Sequence, residues 1–265
     1  MADLSKLKIA LCQIESVQGC PSSYETSLRQ LTTRVKLTGA DLAIFPAPSK
    51  DALPRLVAMN GSILLEEDGR ATLSAEGELY HIALGGAQDG CDFAVISNWE
   101  PWTLDGASRE AARIGIAYPT VISNPIGIEN VDKRVVAFDG ASRALSANGN
   151  VIAQLRDDFT GDFTPFTFAN GGRIAEPCDM KTLRALISSI RRFDAFVLPW
   201  QPKWVIGLSG GLDSSVVASL LVMALGPERV VGYNLAGFQT PAKPKEADYL
   251  KLSLCPEILC RKPGT

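Results

Sequence analysis

The run Ser209-Gly210-Gly211-Leu212-Asp213-Ser214 limits what this chain can be more than any other stretch, because of what stands on either side of it. Trp204–Leu208 reads as a short apolar strand, and the apolar stretch from Val216 reads as a helix that stops at Gly226-Pro227, so the loop carries a strand into a helix. Two residues without a Cβ let backbone N–H groups crowd around an anion, and the flanking hydroxyls can donate to its oxygens. The loop is therefore read as a phosphate cradle formed by Ser209, Gly210, Gly211, Leu212, Asp213, Ser214 and Ser215. No Lys follows the glycines at the G-x-x-x-x-G-K-S/T spacing, and the G-x-G-x-x-G spacing is absent. A cradle without that lysine suits a pyrophosphate that leaves. A ligand-free turn would not need Ser on both sides of Gly-Gly together with an Asp.

The 265 residues allow one large or two ordinary domains, and an apolar fraction of 46% is ample for packed cores. The net charge is −3 with acids and bases interspersed, which argues against nucleic acid or a membrane surface as partner. Cys12, Cys20, Cys91, Cys178, Cys255 and Cys260 are scattered without a C-x-x-C pair, so neither a zinc site nor a disulfide framework is expected. Reduced thiols in a cytoplasmic protein are. The first residues lead into a strand, and no apolar run approaches the roughly 18 residues of a spanning helix.

In chain order, Lys8–Ile14 reads as a buried strand, followed by a capping box at Ser22-x-x-Glu25 and a helix that places Tyr24, Leu28, Leu31 and Val35 on one face before Gly39. Asp41–Pro46 is a second buried strand, so the opening is a β-α-β unit with a parallel pair. Glu67-Asp68-Gly69 joins two strands as a hairpin. Further strands are expected at Asp92–Ser97, Pro119–Ser123 and Arg134–Phe138, with a helix over Asp105–Ala117 and a hairpin about Asn148-Gly149. Arg156–Arg173 has no steady period and reads as a connection between domains. Asp179 then caps a helix with Leu183, Leu186, Ile187 and Ile190 on one face and Lys181, Arg184, Arg191 and Arg192 on a solvated one.

The Ser-Gly-Gly-Leu-Asp-Ser run resembles the pyrophosphate loop of the ATP-pyrophosphatase superfamily. Lys8–Ile14, Asp41–Pro46, Asp92–Asn98, Ser123-Asn124-Pro125-Ile126-Gly127-Ile128, Phe138–Ser142 and Asn148-Gly149 resemble, by their order and spacing, the nitrilase (carbon–nitrogen hydrolase) fold. The two halves together resemble the glutamine-dependent NAD synthetase family, closely over residues 180–235 and loosely over residues 7–155. That resemblance implies an α/β chain: a nitrilase-like α-β-β-α sandwich over residues 1–170, a linker and amphipathic helix over 171–198, and the start of a doubly wound ATP-pyrophosphatase domain over 199–265. It implies ATP and deamido-NAD as substrates, Mg²⁺ with Asp213 as a ligand, an adenylated intermediate that ammonia displaces, and a homo-oligomer. A carboxylate beside a phosphate nest supplies the oxygen ligand that a hard cation takes.

The first half departs from its family's pattern. Nitrilase chemistry needs a Glu base, an oxyanion-stabilising Lys and a Cys nucleophile. Ala47 stands after Phe45-Pro46 where the Glu is expected, no Lys occurs between Asp51 and Asp132, and Ala71–Gly77, the interval expected to hold the nucleophile, offers only Thr72 and Ser74. Cys91 reads as a buried structural thiol and His81 as a structural or surface histidine. A glutaminase-like domain without glutaminase activity is expected. Leu235–Thr240 matches the family's following segment poorly, and only about sixty residues follow Val205, which suggests a truncated or frame-shifted end. Two other readings stay open: a noncatalytic nitrilase-fold scaffold that pairs with an intact synthetase, and another pyrophosphate-loop amidotransferase.

Overall fold

The computed structural model describes residues 2–15, 21–86, 88–99, 101–103, 118–131 and 134–233. The chain divides into two units, Met1–Thr182 and Leu183–Thr265. The expected helix over Asp105–Ala117, the segment Leu235–Thr240 and Cys20, Cys255 and Cys260 lie outside the described residues.

Unit one begins with β1 (Ile9–Gln13), α1 (Pro21–Lys36) and β2 (Leu42–Phe45), and β1 and β2 pair in parallel with Ile9 opposite Leu42. Every residue of both strands is buried. That burial on two faces is why they read as continuous apolar runs and not as alternating ones. One face meets α1, where Ala10, Cys12, Ala43 and Phe45 pack against Tyr24, Leu31 and Val35. The other face supplies Ile9, Leu11, Leu42 and Ile44 to the main core. Ser22 lies inside α1, which starts at Pro21, so it does not act as the expected cap; proline suits that first helical position because its missing N–H has no partner there anyway.

Two sheets enclose the main core. The first has the order β14-β13-β1-β2-β3, adding β3 (Arg55–Ala58), β13 (Asp162–Thr167) and β14 (Gly171–Gly172). The second has the order β12-β11-β8-β7-β6-β5-β4. Its members are β4 (Ile63–Glu67), β5 (Arg70–Ala75), β6 (Glu78–Leu84), β7 (Phe93–Ser97), β8 (Thr120–Ser123), β11 (Arg143–Leu145) and β12 (Val151–Gln154). From it Leu73, Tyr80, Ile82, Phe93, Val95 and Val121 meet the side chains of the first sheet. β9 (Ile126–Val131) and β10 (Arg134–Asp139) form a separate antiparallel pair, tied to the end of β1 by the Ile126 N–H donating to the Ile14 carbonyl. Asp68 and Gly69, both at positive φ, turn β4 into β5 as the hairpin reading requires.

The stretch Arg156–Arg173 is not a plain connection. Within it β13 lies antiparallel to β1, with Phe166 opposite Ile9 and Pro165 opposite Ala10. Because β14 pairs only with Phe166 and Thr167, the rest of β13 is an edge strand, where proline is tolerated.

A polar knot closes this end of the sandwich. The Gln13 carboxamide is fully buried, donates to the carbonyls of Arg156 and Thr160 at 2.9 Å each, and accepts from the Ser142 N–H at 3.2 Å. Asn124 Nδ2 donates to the Gly140 carbonyl at 2.7 Å. A Cβ on Gly140, whose φ is +87°, would lie 2.1 Å from the Gln13 carboxamide. Gly140→Ala is therefore expected to cost about 2–4 kcal/mol, left-handed strain plus displacement of a buried hydrogen-bonded amide, read as a lowered midpoint in denaturant unfolding.

Unit two contains most of α2 (Lys181–Val197), then β15 (Trp204–Gly207), α3 (Leu212–Leu225), a 3₁₀ turn (Pro227–Arg229) and β16 (Val230–Tyr233). β15 and β16 are parallel, Trp204 opposite Val230, so the unit opens as a β-α-β. Gly226 ends α3 at φ +91° and ψ 153°, a positive-φ conformation that L side chains rarely adopt. Among the described residues no helix is long and apolar enough to cross a membrane.

Candidate functional site

The loop Ser209–Gly211 leaves the carboxyl end of β15 and runs straight into α3. Gly210 has φ +79°, which an L side chain adopts only with strain, and Gly211 is the N-cap, with φ −89° and ψ 164°. No side chain caps the helix, so the first N–H groups of α3 keep their donor capacity for a ligand. The hydroxyls of Ser209 and Ser214 lie 3.2 Å apart. Ser209 Oγ also accepts from the Gly211 N–H at 3.3 Å, and Ser214 Oγ accepts from the Ser209 N–H at 3.3 Å. The Ser215 hydroxyl is turned back onto the Gly211 carbonyl at 2.8 Å. Ser214 Oγ likewise donates to the Gly211 carbonyl, at 3.1 Å, so the structure brings Ser209, Gly210, Gly211 and Ser214 together at one turn, with Ser215 bracing it from within the helix. Leu212 is 78% exposed. Asp213 is exposed in the first turn, where a carboxylate is favoured by the helix dipole and can reach a cation held by phosphate oxygens. Its oxygen chemistry fits Mg²⁺.

At the amino ends of β15 and β16, opposite the end that carries the loop, stands a charged network that the amino-acid pattern did not announce. Asp194 of α2 is 6% exposed and accepts from Arg229 Nη1 and Nη2 at 2.9 and 2.7 Å and from Trp204 Nε1 at 2.8 Å. The paired Arg229 holds its carboxyl below the usual range, against burial, which acts the other way; the Trp204 hydrogen bond adds to the lowering. Arg229 also donates to the Pro202 carbonyl at 2.8 Å. One signal was legible: Asp194 falls four residues after Ile190, on the apolar stripe, where an unpaired acid would be costly. Arg191, expected on a solvated face, instead donates to the carbonyls of Ala224 and Met223 at 2.9 and 3.2 Å. It caps the carboxyl end of α3.

In unit one the residues where nitrilase chemistry would sit are differently occupied. Ala47 is buried, and its N–H donates to Ser97 Oγ at 2.9 Å. The interval Ala71–Gly77 is β5 and the turn after it; Ala71, Leu73 and Ala75 face the core, so Thr72 and Ser74 lie on the opposite face. Thr72 Oγ1 lies 3.4 Å from Nδ1 of His81, which is exposed. Cys91 packs with Ala83 and Ala94, as expected of a structural thiol. Burial pushes the Cys12 thiol far up, which leaves it inert. Lys181 is held by Asp139 at 3.1 Å and Asp157 at 2.5 Å. Among the described residues no group of three or more His, Cys, Asp and Glu could hold a metal.

A sandwich of two sheets is thus followed along the chain by a β-α-β unit whose serine-glycine loop joins the first strand to the helix. The NAD synthase family model matches residues 200–254. Over 94% of this chain the fold is similar to that of a glutamine-dependent NAD+ synthetase from Acinetobacter baumannii solved in complex with ADP (TM-score 0.68, 16% identity). It is also similar, over 94% of the chain, to a glutamine-dependent NAD+ synthetase from Cytophaga hutchinsonii (TM-score 0.57, 11% identity). The chain spans 63% of the length of each. No curated protein sequence matches it. Over that shared length the fold is that of the glutamine-dependent NAD+ synthetases.

Proposed function

We propose that this chain acts in ATP-dependent amidation of deamido-NAD, with ammonia as the nitrogen source and a first unit that does not hydrolyse glutamine. The observation that carries this reading is the Ser209–Ser214 loop at the carboxyl end of β15, which leads into a helix N-terminus without a side-chain cap and sets the Ser209 and Ser214 hydroxyl oxygens 3.2 Å apart beside it. Backbone N–H groups there stabilise charge that grows on a departing pyrophosphate. A carboxylate oxygen of deamido-NAD attacks the α-phosphorus of ATP and pyrophosphate leaves; ammonia then attacks the adenylated carbonyl and AMP leaves with the bonding pair. Asp213 would hold Mg²⁺, which offsets phosphate charge when bound. Ser209 and Ser214 orient the phosphate oxygens, and Gly210 gives the loop its close approach. The protein works in the cytoplasm on small molecules, without nucleic acid or membrane.

Supporting the inactive first unit, Ala47 is buried and its methyl side chain offers no base. The same observation favours a second reading, a noncatalytic scaffold that pairs with an intact synthetase. The assay is pyrophosphate and AMP release from ATP, Mg²⁺ and deamido-NAD with ammonium or glutamine as nitrogen source. Release with ammonium and none above background with glutamine is expected. Equal rates with glutamine would overturn the inactive glutaminase, and no release with ammonium would favour the scaffold.

A further inference from the structure

We propose that the free edge of β4 pairs two copies of this chain across a two-fold axis at Leu65. The two edges of the second sheet are finished differently. At β12, the chain from Arg173 to Ala175 lies alongside: Gln154 donates to Arg173, and Ala175 donates to Gln154. At β4, the other end of the order, no strand pairs among the described residues. Natural edges are blunted with charges, above all lysine, with proline or with a bulge; Ile63-Leu64-Leu65-Glu66-Glu67 has no lysine, proline or bulge and carries charge only at its turn end. Its outward row is apolar: Ile63 is 63% exposed and Leu65 69%, and Leu79, opposite Ser74 on the same face, is 57%.

The register says what fits this edge. A two-residue turn makes Glu67 and Arg70 a pair that exchanges both backbone hydrogen bonds, and so, by alternation, are Leu65 with Thr72 and Ile63 with Ser74. The N–H and C=O groups of Leu64 and Glu66 therefore point away from β5. A second β4, antiparallel and centred on Leu65, sets each Leu64 opposite the other copy's Glu66 and satisfies all of those groups. Leu65 then faces Leu65 in a close, non-hydrogen-bonded pair, and Ile63 faces Glu67. No carboxylate faces another carboxylate. A parallel pairing in register would set the Glu66 and Glu67 side chains of the two copies side by side, which is repulsive. The strand is thus complementary to itself in the isologous sense that a two-fold dimer requires.

The test uses the whole chain. Sedimentation equilibrium of the native protein should give twice or an even multiple of its 28.4 kDa, and Leu65→Lys should halve that mass. A close antiparallel pair lies within disulfide reach. Leu65→Cys, treated with a mild oxidant, should therefore give a covalent dimer that peptide mapping traces to position 65 in both copies, while the native chain treated alike should not. Circular dichroism establishes that each variant is folded. A native mass of 28.4 kDa at all concentrations overturns the proposal. So does a folded Leu65→Lys chain of unchanged mass. If Leu65→Lys fails to fold, the crosslink decides: no product through position 65 also overturns it.

Discussion

Asp194→Ala is expected to destabilise the second unit by about 2–4 kcal/mol, the toll of leaving an arginine without its buried partner. The residue joins three parts of the fold. Through Arg229 it reaches the turn before β16, through Trp204 Nε1 the start of β15, and its own backbone belongs to α2. Without it, Arg229 retains only the Pro202 carbonyl among its partners named above, and the indole N–H loses its acceptor. Asp194→Asn, which keeps an oxygen toward Trp204 but removes the charge, should cost about half as much. The same pair sets an acid limit. Its folded pKa lies below the unfolded value of about 3.9, so its contribution is fully present above that pH and is lost as pH falls through the folded pKa. Urea unfolding followed by Trp fluorescence from pH 7 to pH 3 should show a fall below about pH 4 that is smaller in Asp194→Ala. An alanine variant as stable as the native chain at pH 7 would contradict the role given to the pair.

Gly210→Val is expected to reduce affinity for Mg·ATP by at least about tenfold. At φ +79° an L residue carries about 1–2 kcal/mol of strain, and a β-branched one more, so the loop relieves it by turning its backbone out of the phosphate-binding shape. A loss of about 1.4 kcal/mol is tenfold in binding. Gly211→Ala should be milder, because φ −89° is ordinary and the new methyl would meet only Ser209 Oγ at 3.3 Å. Titration calorimetry of the variants measures both. Retention of native affinity in Gly210→Val would remove the loop from the binding site.

The features most legible in the sequence were those in which local chemistry and tertiary environment agree. β1, β2 and β7 read as buried because both faces are covered or nearly so, and Asp68-Gly69 read as a turn because both residues take positive φ. The strand, loop and helix of the proposed cradle were legible because they are contiguous. β13 was not: Pro165 and the threonines around it broke the apolar run, and its place beside β1 is set by residues some 150 positions earlier. β6 was missed for a related reason. It turns the sheet from antiparallel pairing with β5 to parallel pairing with β7, and carries Glu78 and His81 among its apolar residues. Arg191 looked solvated because nothing in α2 itself says that the end of another helix lies within reach.

In the proposed function Ser209–Ser215 binds the phosphates of ATP, with Asp213 at the metal. Calorimetric titration of the purified chain with Mg·ATP, beside Asp213→Ala, tests it directly. Saturable binding that weakens at least about tenfold in the variant is expected, since a carboxylate that helps hold Mg²⁺ between phosphates contributes on the order of 1.4 kcal/mol or more. Binding of equal strength in both chains would contradict the metal role, and no binding in either would contradict the cradle.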